Sequence, residues 1–72
     1  MGKLKVFSGK KNCRILEANG FQDIRMRGSH VVMQKQVAGT TITVPVPDHK
    51  EIQMGTLMSI IRQSGINRSE FE

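Results

Sequence analysis

Seventy-two residues, with three Phe, no Tyr or Trp and a single cysteine, allow one domain (1–72) around a small core; they exclude an internal disulfide and argue against a base-stacking aromatic platform. Lys and Arg number 11 against 6 acidic residues, a formal net charge of +5 that argues for a phosphate backbone or an acidic protein as partner. With no apolar run near the roughly 20 residues of a membrane span, no signal-peptide core and no four-ligand metal spacing, the expectation is a soluble cytoplasmic protein without membrane contact, metal or cofactor.

The charge is unevenly spread. Residues 1–47 hold eight basic and two acidic side chains, whereas residues 48–72 hold three and four. Leu4 and Phe7 read as a lead-in tucked against the core. Ser8 suits a helix N-cap, and the helix should run from Gly9 to Asn19 and stop at Gly20. Its apolar stripe is narrow, Cys13 and Leu16 with Ile15, and Cys13 reads as a small core residue rather than a reactive thiol. Lys10, Lys11 and Arg14 occupy the remaining surface, as a solvated face or as a phosphate track.

Two strands follow, Gln22–Arg27 and His30–Lys35, joined at Gly28-Ser29, a connection that suits a tight hairpin with glycine first. That turn sets a register in which Arg27 faces His30, Met26 faces Val31, Arg25 faces Val32 and Ile24 faces Met33. Ile24, Met26, Val31 and Met33 then share a buried side, and Arg25, Arg27, His30, Val32 and Gln34 share the other. After a loop over 36–39, Thr40–Val46 alternates again with Ile42, Val44 and Val46 on one face, and Pro45 makes it an edge strand. The next helix should open at Gly55 or Thr56, capped by Thr56, with Leu57, Ile60 and Ile61 inward and Gly65 closing it. Asn67-Arg68-Ser69-Glu70 has capping-box spacing for a final turn through Phe71. The predicted fold is α+β, in the order α-β-β-β-α, with a three-stranded antiparallel sheet and both helices on one face.

Paired-carboxylate, Ser/His/Asp and phosphate-loop chemistries find no supporting pattern. What remains is His30 among cations. A neutral imidazole can take the proton of a ribose 2′-hydroxyl as it attacks the adjacent phosphate, and Arg25 and Arg27 can stabilise the anionic phosphorane. Gly28 lets a backbone approach, and Ser29 can donate to a phosphate oxygen. Lys10, Lys11 and Lys35 complete the candidate RNA-binding set. The plain alternative is a solvated histidine at a hairpin end, beside arginines that decorate an exposed face. His49, in a polar turn, reads as solvated, with a second proton-transfer role as its sharper alternative.

Ser8-Gly9-Lys10 opening a helix, Asn19-Gly20-Phe21 closing it, and Arg27-Gly28-Ser29-His30 resemble the HicA family of toxins. So do Thr43-Val44-Pro45-Val46, Gly55-Thr56-Leu57 with Ile60-Ile61, and Gln63-Ser64-Gly65-Ile66, spread in order over nearly the whole chain. The resemblance implies a fold like the double-stranded RNA-binding domain. It also implies a metal-independent ribonuclease that cleaves messenger RNA, is held inactive by a HicB-type antitoxin and uses His30 as its catalytic residue. The chain departs from many members at Val31, where they carry a second histidine, and at Asn12, where they are apolar. A non-catalytic RNA-binding module and a protein-interaction domain with a basic face are the competing readings.

Overall fold

The computed structural model describes residues 7–72, so the expected lead-in at Leu4 lies outside the described residues. In chain order the elements are α1 (Gly9–Ala18), β1 (Gln22–Arg27), β2 (His30–Val37), β3 (Thr40–Pro47), α2 (Met54–Ser64) and a closing 3-10 turn, Arg68–Phe71. The sheet is antiparallel, in the spatial order β1-β2-β3. The α+β fold and its element order are those the sequence predicts, and they are compatible with a double-stranded RNA-binding-domain architecture.

α1 begins where its cap is. Ser8 is extended, and its Oγ accepts a hydrogen bond from the Lys11 amide at 3.1 Å. The helix closes at Ala18, one residue early, because Asn19 turns out of helical geometry and donates its side-chain amide to the Ile15 carbonyl at 2.8 Å. Gly20, at φ 93°, then reverses the chain, and the Phe21 amide returns to the Leu16 carbonyl.

The buried line of α1 is Gly9, Asn12 and Leu16, with Cys13 and Ile15 half-buried beside it, so the stripe is rotated from the predicted one. Burial pushes the Cys13 thiol up to about 11, with Asp23, Glu17 and Asp48 adding to the effect, which keeps it protonated and unreactive at neutral pH. Asn12 is fully buried; its Nδ2 donates to the Ser8 carbonyl at 3.0 Å, while Oδ1 meets no donor among the described residues. A buried acceptor left unpaired costs about 1–3 kcal/mol. Leucine has nearly the same shape and no such atom, and the Ser8 carbonyl keeps the Asn12 backbone amide as a donor. Asn12→Leu should therefore raise the melting temperature, by roughly 4–8 °C for each kcal/mol recovered. A lowered value in a thermal melt would show that Oδ1 is satisfied in solution.

The hairpin register holds from Arg27↔His30 through Met26↔Val31 to Arg25↔Val32, and then slips. A bulge lies between Asp23 and Arg25, so Met33 faces Asp23 rather than Ile24. Ile24 is turned to the open side, where it lines a hollow with Gln22, Gln34 and Gln36, and it is 46% exposed. Met26, at an edge of the sheet, is 53% exposed, so of the four expected core residues Met33 is buried and Val31 half-buried.

β2 runs two residues past its predicted end, to Val37, because a two-residue turn at Ala38-Gly39 joins it directly to β3. β3 is an edge strand, as expected. The Asp48 amide donates to the Ser29 carbonyl, and that alternation turns the backbone nitrogens of residues 45 and 47 away from β2. Proline at both positions removes two donors from the free edge and blunts it against further strand pairing.

α1 lies across all three strands and α2 against β3, covering the side that presents Met33, Val44 and Val46. α2 opens at Met54, with extended Gln53 before it and no side-chain cap, so Thr56 does not cap it as predicted. Leu57 and Ile60 are buried, Ile61 is half-buried and Gly65 closes the helix at φ 71°. Asn67 caps the last turn by accepting from the Ser69 amide, and Phe71 is fully buried. Ile52, not foreseen as core, is also buried, and its amide bonds the Phe7 carbonyl at 2.9 Å.

Candidate functional site

With one side of the sheet covered, the other carries the alternate residues of each strand. His30 stands beside Arg27 on β1 and Pro47 on β3, and Val32 beside Arg25 and Pro45. Arg27, His30, Val32, Thr43 and Pro45 enclose a shallow depression of about 470 Å³. Val32 and Pro45 give it an apolar floor, and Arg27 and His30 give it a polar rim. Arg25, Arg27 and His30 are all exposed. Among the described residues none of their side chains is held by a hydrogen bond, and the ion pair found there joins Arg68 to Glu72. The two guanidinium charges therefore face solvent without a counter-ion.

The turn that positions His30 is fixed by its neighbours. Gly28 sits at φ 61° with Ser29 at negative φ, the arrangement of a tight hairpin that takes glycine first. The Ser29 carbonyl accepts from the Asp48 amide at 2.8 Å, and the His49 carbonyl accepts from the Gly9 amide at 2.8 Å. The start of α1, the hairpin turn and the segment over 47–49 thus meet at one end of the sheet. A Cβ on Gly9 would stand 2.1 Å from the Pro47 carbonyl oxygen, so the junction has no room for a side chain. Ser8-Gly9 and Gly28-Ser29-His30, twenty residues apart, serve one joint.

Of the residues singled out from sequence, the structure brings together Arg25, Arg27, Gly28, Ser29 and His30. Lys10 lies beyond the joint, around a hollow shared with Ser8, Asp48, His49 and Lys50. Lys11 holds its ammonium 5.9 Å from the centre of the Phe7 ring. Lys35 falls on the helix-covered side, opposite Ile42 and with its ammonium 5.9 Å from the centre of the Phe21 ring, so it does not share the His30 face. Thr43 and Pro45 were not singled out as site residues. The alternation of β3 already set them opposite Val44, but their partners on β2 depend on the length of the 38–39 turn.

The family model of the HicA toxin of bacterial toxin-antitoxin systems matches residues 9–66. The chain belongs to the HicA toxin family. The match begins at the glycine of the junction and runs through the hairpin to Ile66, so it contains every element from α1 to α2. No curated protein and no solved structure matches the chain. As a HicA toxin it is one half of a toxin-antitoxin pair, in a family whose members are in general ribonucleases. No helix among the described residues is long and apolar enough to cross a membrane.

Proposed function

We propose that this HicA-family chain is an endoribonuclease that cleaves messenger RNA, with His30 as the proton acceptor, and that a HicB-type antitoxin neutralises it. The observation that supports this reading is His30 beside Arg27 on the open sheet face, its imidazole without a hydrogen bond among the described residues and next to uncompensated charge. His30 takes the proton of a ribose 2′-hydroxyl, whose oxygen forms a bond to the adjacent phosphorus. The bond from phosphorus to the 5′ oxygen breaks, that oxygen takes a proton from water at the exposed face, and the hydroxide so formed takes the proton held by His30, which returns the imidazole to its neutral form. The products are a 2′,3′-cyclic phosphate and a 5′-hydroxyl. Arg25 and Arg27 balance the charge that grows on the phosphorane, and Gly28 and Ser29 offer backbone and hydroxyl donors to its oxygens. The nucleophile belongs to the substrate, so these steps need no metal-activated water.

An antitoxin that covers this face must meet two arginines and a histidine, so a carboxylate-bearing surface complements it. The chemistry makes a direct demand on the substrate. RNA blocked as 2′-O-methyl at every position should bind and stay intact, while the unmodified oligonucleotide is cut to cyclic-phosphate ends. Cutting of the blocked RNA would rule out attack by the 2′-hydroxyl.

A further inference from the structure

The open face does not end at His30. Thr43, which borders the His30 depression, faces Gln34, and Gln34 faces Gln22 on the other side. Gln22, Gln34 and Gln36, with Ile24 and Gly20, surround a second hollow of about 360 Å³. Gln34 lies four residues along β2 from His30, about 13 Å at the rise of an antiparallel strand, a few nucleotides away along a bound single strand.

Two features bear on what this hollow can hold. Among the described residues, no hydrogen bond engages the three amides, each of which offers a donor and an acceptor side by side. The bulge also takes Ile24 out of the register that would pair it with Met33 and sets it among the glutamines. At 46% exposed, Ile24 presents an aliphatic surface among the amides rather than to the core. An amide pair beside an exposed aliphatic group can receive an unstacked base, by hydrogen bonds to its edge and contact with its face.

We infer that Gln22, Gln34, Gln36 and the bulged Ile24 form a nucleobase subsite that selects the sequence beside the cleaved phosphate. The inference rests on the proposed ribonuclease reading for its ligand, an RNA strand laid along the open face. Aromatic residues are absent from this face, so selection comes from the amides rather than from stacking strength. The neighbouring arginines hold the phosphates and are indifferent to sequence.

The test is binding of fluorescein-labelled oligo(rA), oligo(rC) and oligo(rU) at fixed salt to His30→Ala protein, with and without Gln22→Ala and Gln34→Ala. The parent should show at least a tenfold spread between the tightest and weakest oligonucleotide, and the glutamine variant should bring the three within about twofold. Arg27→Ala should instead weaken all three alike. A spread that is absent in the parent, or that survives the glutamine changes, overturns the subsite. Cleavage by the wild-type chain, assayed separately, decides the ribonuclease reading: a spread lost with the glutamines in a chain that cuts nothing would keep the subsite and discard the catalysis. Failure to bind any RNA would overturn both.

Discussion

Gly9→Ala should destabilise the protein by about 3 kcal/mol or more, lowering the melting temperature by at least 10 °C on the usual scaling for a domain this size. Alanine is otherwise the better helix residue, so the sign comes from packing alone. Its Cβ would meet the Pro47 carbonyl oxygen at 2.1 Å and the Asp48 Cα at 3.1 Å, both backbone atoms that cannot swing aside. Relief requires α1 and the 47–49 segment to part. That strains the Gly9–His49 hydrogen bond and, through Asp48, the Asp48–Ser29 bond that steadies the hairpin turn. The loss is a large share of the roughly 4–11 kcal/mol expected for 72 residues. Gly55 provides the control. It lies in α2 with nothing within 4 Å of its would-be Cβ, and Gly55→Ala should stabilise by about 0.5–1 kcal/mol. Equal effects at the two positions in a thermal or urea melt would contradict the packing account.

The same junction shows where sequence reasoning stops. A serine cap before Gly9 is a local signal, and α1 begins there. The need for glycine at that position comes from Pro47, thirty-eight residues away, and no local pattern carries it. The hairpin was legible because alternation and a glycine-first turn both act between near neighbours. The bulge was not, since Gln22 to Met26 reads as a continuous alternation and the slip appears only in the pairing with β2. Asn12 shows a different limit. A polar residue in a helix is read as exposed, yet it lies one turn before Leu16, and the Ser8 carbonyl captures its amide. α2 starts ahead of the predicted Gly55 or Thr56 because Gln53 caps with its backbone alone. Lys35 could not be assigned to a face's function by charge, because its ammonium lies over Phe21 on the covered side.

The candidate site was legible at its centre for the same reason the hairpin was. His30 and Arg27 are neighbours across a two-residue turn, so their pairing follows from four consecutive residues. Its outer wall, Thr43 and Pro45, required the second turn to be known, and the glutamine hollow required the bulge.

The second large effect concerns catalysis alone. The His30 side chain is exposed and makes no hydrogen bond among the described residues, so His30→Ala should change stability by no more than about 0.5 kcal/mol. Removal of a proton acceptor in the transition state ordinarily costs 10²–10⁴-fold, so cleavage should fall at least about a hundredfold. RNA affinity should largely persist, because Arg25 and Arg27, the proposed phosphate contacts, are unchanged. Arg25→Ala with Arg27→Ala should show the opposite pattern: weaker binding and a shallower dependence on salt.

The most direct test of the central claim is cleavage of a labelled RNA by purified protein in EDTA, with wild type and His30→Ala compared at matched occupancy. Wild type should give cyclic-phosphate products and the variant at least a hundredfold less, at nearly equal affinity. Equal cleavage by the two proteins, or RNA bound and left intact by the wild type, would contradict a histidine ribonuclease on this face.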